Sequence, residues 1–337
     1  MPQAIREFGR LDDAALRREV LQGAQPAVLR GVVEDWPAVR EGRRSASALV
    51  AYLMRFDNGS EVDALMTRPE EEGRIFYTDD LAGFNFLHNR LPLARLIEQV
   101  LRYAAFPNPP AVAAQSALLR DCLPGFAEDN PLPLLGPDVL PRLWLGNSIT
   151  TPAHFDEARN IACVVAGRRR FTLFPPEQVG NLYVGPLDHT PTATPISLVS
   201  MRQPDFSRHP RYREALEAAQ VAELGPGDAL FIPTLWWHQV ESLAPFNLLV
   251  NYWWSGSIAA GREADSGLDA MLHAMLVLRD ADPALRAAWR ALFDHYVFDP
   301  TRDAAAHLPV DRRGVLGPIG PEMAERLRGR LAARLRR

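Results

Sequence analysis

The chain has 337 residues, of which 47% are hydrophobic and 23% charged, a composition that can fill the core of one elaborated catalytic domain. Its net charge of -4 argues against general binding of nucleic acid, and no apolar run approaches the roughly 18 residues of a membrane span. Residues 1–8 lack the apolar stretch of a signal peptide, so we expect a cytoplasmic protein without a membrane anchor.

Two further counts bear on the source of the chain and on the kind of site it holds. All 37 basic residues are arginine, which is typical of a GC-rich genome and indicates a bacterial source. Cys122 and Cys163 are the only cysteines, so a cysteine-rich zinc site is excluded. Cys163 falls in a predicted buried strand, and we therefore expect no disulfide.

Residues 1–110 mix the two kinds of hydrophobic periodicity and predict an amino-terminal α/β shoulder. Strand-like runs fall at Ala27–Arg30, Val62–Met66 and Arg74–Thr78, and helical stretches fall around residues 46–55 and 91–104. Proline clusters at 107–110 and 131–137 bracket a poorly patterned connection into the next region.

Residues 111–257 consist of short apolar runs broken by glycine, proline and asparagine, a pattern that predicts strands and turns. The turn signal Pro226–Asp228 leads directly into the apolar run Ala229–Pro233. An insert near residues 185–222 contains a short predicted helix, Pro210–Gln220. This region is therefore predicted to be a β core, and the chain as a whole to be mainly β with flanking helices.

Three residues of this core form a candidate metal site. His154 and Asp156 are two apart, so on a strand their side chains point to the same face and can bind one ion together. His238 would complete the set from another strand. Two imidazoles and one carboxylate leave the other octahedral positions of the ion open, as an iron(II) oxygenase needs for a bidentate co-substrate and dioxygen. The pattern therefore favours an oxygenase.

Residues 258–337 predict carboxyl-terminal helices. Apolar residues recur at helical spacing in two stretches, Leu268, Met271, Leu272, Met275 and Leu276, and then Leu285, Trp289 and Leu292. These apolar stripes could pack on the chain's own barrel or on another copy. The arginines of residues 326–337 predict the solvated end of a terminal helix.

The motifs around the candidate ligands follow one another in an order that resembles a known family. They are Thr151–Glu157, Leu173–Pro176, Pro226–Asp228, Ile232–Pro233 with Trp236–His238, and Val250–Trp253. At these residues the chain resembles the cupin-like, Jumonji-C-type oxygenases that depend on iron(II) and 2-oxoglutarate, and among them the protein asparaginyl hydroxylases. The resemblance is strong over residues 143–254, and residues 26–40 resemble the usual opening of the same family.

This resemblance implies a double-stranded β-helix, the cupin or jelly-roll core, in which two antiparallel sheets face each other and the metal lies at the open end of the barrel. It implies iron(II) held by His154, Asp156 and His238, with 2-oxoglutarate and dioxygen as co-substrates. The implied reaction decarboxylates 2-oxoglutarate to succinate and hydroxylates a substrate C–H bond, with no side-chain general base. The carboxyl-terminal helices resemble the family's dimerisation segment, so a homodimer is expected.

The far carboxylate of 2-oxoglutarate needs a cation, since a buried carboxylate is costly without one. Arg169 lies fifteen residues after His154, where the resembled hydroxylase carries a lysine. A guanidinium can bind the carboxylate through two parallel hydrogen bonds. Compared with the lysine, the arginine therefore keeps the positive charge but changes the binding geometry. By strand alternation Arg169 shares a face with Phe171, whereas Arg168 and Arg170 point to the opposite face.

Five other side chains match family positions that bind the co-substrate or line the pocket. Thr151, Asn160 and Asn251 offer hydroxyl or amide groups to carboxylate oxygens. Tyr77 offers a phenol to the far carboxylate. Trp253 shares a predicted face with Asn251 and resembles the aromatic residue that lines the family's pocket near the metal.

Other functions use similar ligands. A metal-dependent cupin isomerase or a zinc hydrolase would not explain Arg169 or the matches at Asn251 and Trp253, and a non-enzymatic binding module rarely keeps an intact triad. The resemblance suggests a protein or peptide side chain as substrate, with a small molecule as the alternative and nucleic acid disfavoured by the net charge. A long open groove beside the metal would favour a peptide, and a closed pocket would favour a metabolite.

Overall fold

The computed structural model describes residues 2–9, 12–254, 266–299, 301 and 303–335. The chain divides into two compact units, residues 1–256 and 257–337. The predicted shoulder and the predicted β core both fall in the first unit. The boundary predicted at residues 257–258, like the last two arginines of the predicted terminal helix, Arg336 and Arg337, lies outside the described residues.

The described part of the first unit contains fourteen strands. In chain order they are β1 Gln3–Ala4, β2 Glu7–Phe8, β3 Ala27–Leu29, β4 Glu61–Thr67, β5 Phe86–Pro92, β6 Ala111–Leu118, β7 Pro141–Gly146, β8 Thr150–His154, β9 Arg159–Ala166, β10 Arg169–Phe174, β11 Gln220–Leu224, β12 Ala229–Ile232, β13 Trp237–Ser242 and β14 Asn247–Trp254.

Helices lie between these strands along the chain, and three more lie in the described second unit. Those of the first unit are α1 Asp13–Leu16, α2 Pro37–Arg44, α3 Ala46–Leu53, α4 Leu93–Tyr103, α5 Leu119–Cys122, α6 Phe126–Asp129 and α7 Tyr212–Ala218. Those of the second unit are α8 Gly267–Leu278, α9 Pro283–Phe293 and α10 Pro321–Leu335. Within the described ranges, no helix combines the length and the apolar character that a membrane span requires.

The strands form two sheets that face each other. One has the order β1-β11-β10-β13-β8, and the other has the order β2-β3-β12-β9-β14-β7-β6-β4-β5. The pairs β1–β11 and β2–β3 are parallel, and the other ladders are antiparallel. Side chains of both sheets, such as Phe171 of β10 and Leu249 of β14, pack in one buried cluster. The two sheets therefore form the predicted jelly-roll core.

The outer face of the larger sheet is covered by helices, which explains why its central strands read as nearly continuous apolar runs. Leu248 and Val250 of β14 pack in one cluster with Leu49 of α3 and Leu96 of α4. The residues that alternate with them, including Asn251, point to the inside of the barrel. Cys163, on the central strand β9, is buried and free, as is Cys122, so the expectation of no disulfide is confirmed.

Two segments differ from the predicted pattern. Residues 74–78 form only isolated bridges, Arg74 with Thr150 and Tyr77 with Phe84, because each residue pairs with a different partner and no ladder develops. Residues 111–118, at the start of the predicted β core but without a predicted strand of their own, form the eight-residue strand β6. Four of its residues are alanine, and Ala111–Ala114 is buried throughout, so no polar and apolar alternation marks it as a strand.

Gly167 sets the position of β10, and with it that of Arg169. It occupies the turn between β9 and β10 with a left-handed φ of 78°, and a side chain there would collide with Asn247 and Phe246. The turn brings Arg169 opposite Ser242 of β13. The chain needs glycine at this point in order to present Arg169 from the first residue of the strand.

Candidate metal centre

The three predicted ligands meet at one end of the smaller sheet. His154 is the last residue of β8, and it pairs directly with His238 of the neighbouring strand β13. Ligand atoms of His154, Asp156 and His238 all lie within 4.8 Å of one another, so one ion can contact all three. The predicted grouping is confirmed. One detail differs, since β8 ends at His154 and Asp156 lies just beyond the strand.

A short backbone contact holds Asp156 near β13. Its carbonyl oxygen accepts a hydrogen bond of 2.9 Å from the amide of Leu235. Leu235 has a φ of 64°, a left-handed conformation that is costly for a residue with a branched side chain. This bend brings the segment that leads to His238 against the segment that carries Asp156. Local strain is thus used to bring together ligands that are 82 residues apart in sequence.

Both histidines are oriented by their own backbone. Nδ1 of His154 lies 2.9 Å from the carbonyl oxygen of Pro152, and Nδ1 of His238 lies 3.0 Å from that of Trp236. A ring nitrogen that faces a carbonyl oxygen can only donate, so in the neutral ring the lone pair is on Nε2. Each imidazole therefore presents Nε2 to the metal position, the orientation that a metal-binding histidine requires.

The charge state of the site also suits a metal. Burial lowers the pKa of His154, and the nearby imidazole of His238 lowers it further, while Asp156 acts in the opposite direction. The ring is therefore neutral at physiological pH, the form in which it can bind a cation. Nε2 of His238 lies 3.6 Å from Oδ2 of Asp156, which is the only carboxylate in the group.

Asp156 is held in place by two side chains of the larger sheet. Its Oδ2 accepts hydrogen bonds of 2.9 Å from Nε1 of Trp253 and of 3.2 Å from Nδ2 of Asn160. Asn251 extends the network, donating to Oδ1 of Asn160 over 3.4 Å and accepting from Nε1 of Trp144 over 2.8 Å. Trp253 and Asn160, predicted as pocket and co-substrate residues, thus also orient a metal ligand.

Trp253→Phe tests this supporting role. The phenyl ring keeps the apolar wall but removes the indole donor, so Oδ2 of Asp156 loses its shortest hydrogen bond. We expect metal affinity to fall by about 10- to 100-fold, the usual cost of losing an outer-shell partner. Competition with a chelator measures it. Trp254→Phe, the matched change at the neighbouring residue outside the network, should leave affinity unaltered, and an equal effect of both would refute the assignment.

Arg169 is the buried cation of the site. It is 6% exposed, and burial lowers its pKa to about 10, so the guanidinium stays charged at physiological pH. Its Nη2 donates to the carbonyl oxygen of Trp144 over a long 3.4 Å, and its Nε has no hydrogen-bond partner in the described part of the chain. A buried cation with an unsatisfied donor beside a cavity is suited to receive an anion.

The neighbouring arginines lie on the other face, and the predicted register of β10 is confirmed. Nη2 of Arg170 lies 2.6 Å from Oε1 of Glu223, and Nη1 of Arg168 lies 4.0 Å from Oε2 of the same residue. Arg168 is exposed, and Arg170 is half-buried. Phe171, two residues after Arg169, packs inside the barrel as expected.

A cavity of about 470 Å³ connects the metal ligands with Arg169. The predicted residues Thr151, Asn160, Asn251 and Trp253 all line it. Apolar side chains of both sheets, Phe171, Ile232, Val240 and Leu249, complete its inner wall. The structure thus brings eight of the nine predicted site residues to one cavity.

Tyr77 is the exception, since the structure does not place it with the other predicted residues. It is absent from the lining of the metal cavity and contributes instead to a separate cavity of about 560 Å³. Its hydroxyl donates to the carbonyl oxygen of His189 over 2.6 Å, and its backbone is bridged to Phe84. The phenol is therefore occupied in fixing the residue 185–222 insert.

Several lining residues were not predicted. Trp144 and Arg142 point inward from β7, and Gln115 and Ser116 do so from β6. Residues 191–194 of the insert line the cavity as well. The alternation of β7 contained a usable signal, since Arg142 and Trp144 are two apart. The insert gave none, because its segment lacks regular periodicity.

Comparison with known proteins agrees with this architecture. Residues 13–260 match the family described as "Cupin-like domain". The chain is 29% identical over 267 residues to "Lysine-specific demethylase JMJ31" of Arabidopsis thaliana, covering 69% of this chain and 46% of that protein. It is 37% identical over 113 residues to "HSPB1-associated protein 1" of Homo sapiens, covering 33% and 22%.

A further relative is "Jumonji C domain-containing protein 5" of Drosophila melanogaster, with 26% identity over 238 residues, 69% of this chain and 55% of that protein. The chain thus spans about half of these relatives or less. All three come from eukaryotes, so they do not support the bacterial source indicated by the arginine usage. The family match covers most of the first unit, and that unit has the jelly-roll fold. The chain therefore belongs to the cupin-like domain family of Jumonji-C-type proteins.

Proposed function

We propose that the protein is an iron(II)- and 2-oxoglutarate-dependent oxygenase that hydroxylates a side chain of a protein or peptide. One observation carries the proposal: a single cavity holds three converging metal ligands and a buried arginine with an unsatisfied donor. An isomerase or a hydrolase has no use for that arginine. Membership of the cupin-like family supports the same function.

The residues fit the implied cofactors. His154, Asp156 and His238 would hold iron(II), since two neutral imidazoles and a carboxylate form the donor set that this ion accepts. Arg169 would bind the far carboxylate of 2-oxoglutarate, with Thr151 orienting it. Bound iron, with 2-oxoglutarate and dioxygen, would supply the oxidation of a substrate C–H bond. Asn160 and Trp253 keep Asp156 in position, and the apolar wall of the cavity excludes water.

A protein or peptide substrate is supported by the surroundings of the cavity. Ser116 and Arg142 line the metal cavity and also a surface groove of about 490 Å³. The groove gives an extended chain a place to lie while one side chain enters the cavity. The motif resemblance to factor inhibiting hypoxia-inducible factor, an asparaginyl hydroxylase, supports hydroxylation. A small molecule confined to the cavity is the alternative substrate.

The test uses the full chain with added iron(II). Under anaerobic conditions, addition of 2-oxoglutarate should produce the metal-to-ligand absorbance band of a chelated keto acid, and admission of air should yield succinate. Both signals should disappear when iron(II) is replaced by zinc. A protein that binds metal but gives neither the band nor succinate would be an isomerase, a hydrolase or a binding module.

We also propose that the protein forms a homodimer through its carboxyl-terminal helices. None of the residues of α8 or α9 is buried, although both helices are rich in apolar side chains. Leu276 is 79% exposed and Trp289 is 41% exposed. Faces this apolar mark interaction sites, and a second copy of the chain offers the same face in return.

Leu276→Arg should dissociate this dimer without unfolding the chain, because the residue is not part of a buried core within the second unit, and a buried charge would be costly only in the assembly. Sedimentation across a hundredfold concentration range provides the measurement. Arg290→Glu, an exposed charge change on α9, serves as the control. A wild-type protein that stays monomeric at every concentration would contradict the proposal.

A further inference from the structure

One edge of the larger sheet is open. The last strand of that sheet, β5, pairs with β4 on one side, and within the described part of the chain no strand pairs with its outer edge. Four consecutive residues of β5, Leu87–Arg90, are exposed, and Leu87 is 71% exposed. Proteins usually cover such an edge or keep it short, because its unpaired N–H and C=O groups can bind another extended chain.

The register of β5 determines which of its backbone groups face outward. Just beyond the strand, the amide of Leu93 donates to the carbonyl oxygen of Ser60 over 3.4 Å, so Leu93 belongs to the series of residues that bond toward β4. In an antiparallel ladder such residues alternate with residues whose N–H and C=O point away from the partner strand. The residues of β5 with outward-facing groups are therefore Phe86, His88 and Arg90.

Asn89 agrees with this register and limits the length of the open edge. Its side-chain Oδ1 accepts a hydrogen bond of 2.8 Å from the amide of Arg90, which is free to make it because it points away from β4. The amide and carbonyl groups of His88 have no such partner among the described residues. The open edge is therefore short, and it suits a peptide segment better than the long edge of another folded sheet.

The outward-facing residues of β5 lie at three different concave sites. Phe86 lines the separate cavity of about 560 Å³ that also contains Tyr77. His88 lines the metal cavity, and Arg90 lines the surface groove. These residues are two apart and share one face of the strand, so successive sites are about 7 Å apart along β5. The metal cavity is the middle site.

The neighbouring strands divide in the same way. On β4, the residues opposite the three just named are Thr67 in the separate cavity, Leu65 in the metal cavity and Asp63 in the groove. The groove is also lined by residues of the irregular part of β6, where Nη1 of Arg142 donates to the carbonyl oxygen of Ser116 over 3.0 Å. The three sites thus lie side by side along the open edge.

From this arrangement we infer that the substrate binds as an added strand, with its backbone paired to the outer edge of β5. The inference rests on the proposed function, because it describes how the peptide substrate of the same site binds. In such a ladder the residue opposite His88 points to the same face as His88, and so enters the metal cavity. Backbone pairing supplies affinity, and the three sites contact alternate side chains.

The two flanking sites accept apolar side chains. Phe84 and Leu87 contribute to the walls of the separate cavity, and Val62 and Leu118 contribute to those of the groove. Each site also carries charges of both signs, namely Arg68 with Glu71 and Asp79 in the first, and Arg90 and Arg142 with Glu61, Asp63 and Asp121 in the second. The lining charges therefore do not select one sign, and uncharged flanking residues suit the peptide probes.

Six capped heptapeptides test the inference. Threonine and valine alternate around a central residue, with valine two positions to either side, because β-branched residues favour the extended conformation. The central residue is asparagine, aspartate, histidine, arginine, lysine or leucine. Fluorescence anisotropy with the full chain, iron(II) and 2-oxoglutarate under anaerobic conditions measures the Kd. At least one peptide should bind with a Kd below about 1 mM, and failure of all six would overturn the inference.

Two substitutions of His88 separate the backbone from the side chain. His88→Pro removes the outward N–H and blocks pairing at the middle of the edge, whereas His88→Ala removes the same imidazole and keeps the N–H. The best peptide should bind His88→Pro about 10- to 100-fold more weakly than His88→Ala, the range for two backbone hydrogen bonds. Asn89→Ala, which frees the amide of Arg90, should bind it more tightly. Thermal unfolding checks that each variant is folded.

N-methylation of the peptide, one residue at a time, tests the pairing without changing the protein. The loss of affinity should alternate along the peptide, because only every second N–H of an added strand faces β5. Equal affinities of the two His88 variants, or a loss without alternation, would overturn the inference. So would self-association of the wild-type chain that is lost in His88→Pro and kept in Leu276→Arg, since β5 would then pair with a second copy.

The same titrations without iron(II) and 2-oxoglutarate separate the two proposals. A peptide that binds with the alternating pattern, to a protein that gives neither the absorbance band nor succinate, would contradict only the oxygenase. A protein that gives both signals but binds none of the six peptides would contradict only the pairing with β5.

Discussion

Asp156→Ala is expected to abolish iron(II) binding and succinate formation. The substitution removes the only carboxylate of the ligand group and leaves two neutral imidazoles, which cannot offset the charge of the ion. Equilibrium dialysis against iron(II) and measurement of succinate from 2-oxoglutarate provide the two readouts. Full turnover in Asp156→Ala would exclude the assigned triad.

The fold should survive this change. Asp156 lies beyond the end of β8, and its side chain is 18% exposed, so alanine leaves no large cavity in the core. A loss of about 1 kcal/mol would lower the unfolding midpoint by about 2–4 °C in a unit of this size. Glu157→Ala, the same truncation one residue later, lies outside the ligand group and should keep both metal binding and turnover.

The metal triad could be predicted from sequence because its signals are local. A spacing of two residues places His154 and Asp156 together, and the turn Pro226–Asp228 marks the start of β12, the strand before that of His238. Alternation along β10 likewise separated Arg169 from Arg168 and Arg170, since a strand buried on one side and solvated on the other leaves one consistent register. On β10 the secondary structure alone determines which side chains share a face, whereas Asp156 lies just beyond β8 and is also held by its backbone contact with Leu235.

The rest of the site depends on long-range packing that spacing does not encode. Tyr77 lies in a segment without a continuous ladder, so nothing in its neighbours reveals that its hydroxyl bonds to the insert. Arg142 owes its place to a bulge in β6, a strand whose alanines conceal the alternation. The double use of Trp253, as cavity wall and as donor to Asp156, appears only when both sheets are assembled.

The most consequential departure from the resembled hydroxylase is arginine in place of lysine at position 169. A lysine ammonium is a compact point charge, whereas the guanidinium is planar and carries donors on three nitrogens. In this structure one of those nitrogens, Nη2, makes a long contact with Trp144, and Nε has no partner within the described residues. The guanidinium lines the cavity and keeps one nitrogen without a partner in the described part of the chain, and its planar shape suits a flat carboxylate.

Arg169→Ala should therefore weaken 2-oxoglutarate binding by about 2–5 kcal/mol, the cost of leaving one member of a buried charge pair alone. This range corresponds to a roughly 30- to 5,000-fold higher Kd. Iron(II) binding should persist, because Arg169 is not a ligand. Titration of 2-oxoglutarate under anaerobic conditions, followed by the metal-to-ligand absorbance band, measures the Kd.

Three further variants separate charge, geometry and register in the same titration. Arg169→Lys should recover part of the lost affinity, because the charge returns without the planar pair of donors. Arg168→Ala and Arg170→Ala remove equal charges from the solvated face, where both arginines lie near Glu223, so they should change the Kd little. A larger loss in either of these than in Arg169→Ala would mean that the co-substrate binds elsewhere. If Arg169→Ala bound 2-oxoglutarate with full affinity, the buried guanidinium would not bind the co-substrate and would serve only the fold.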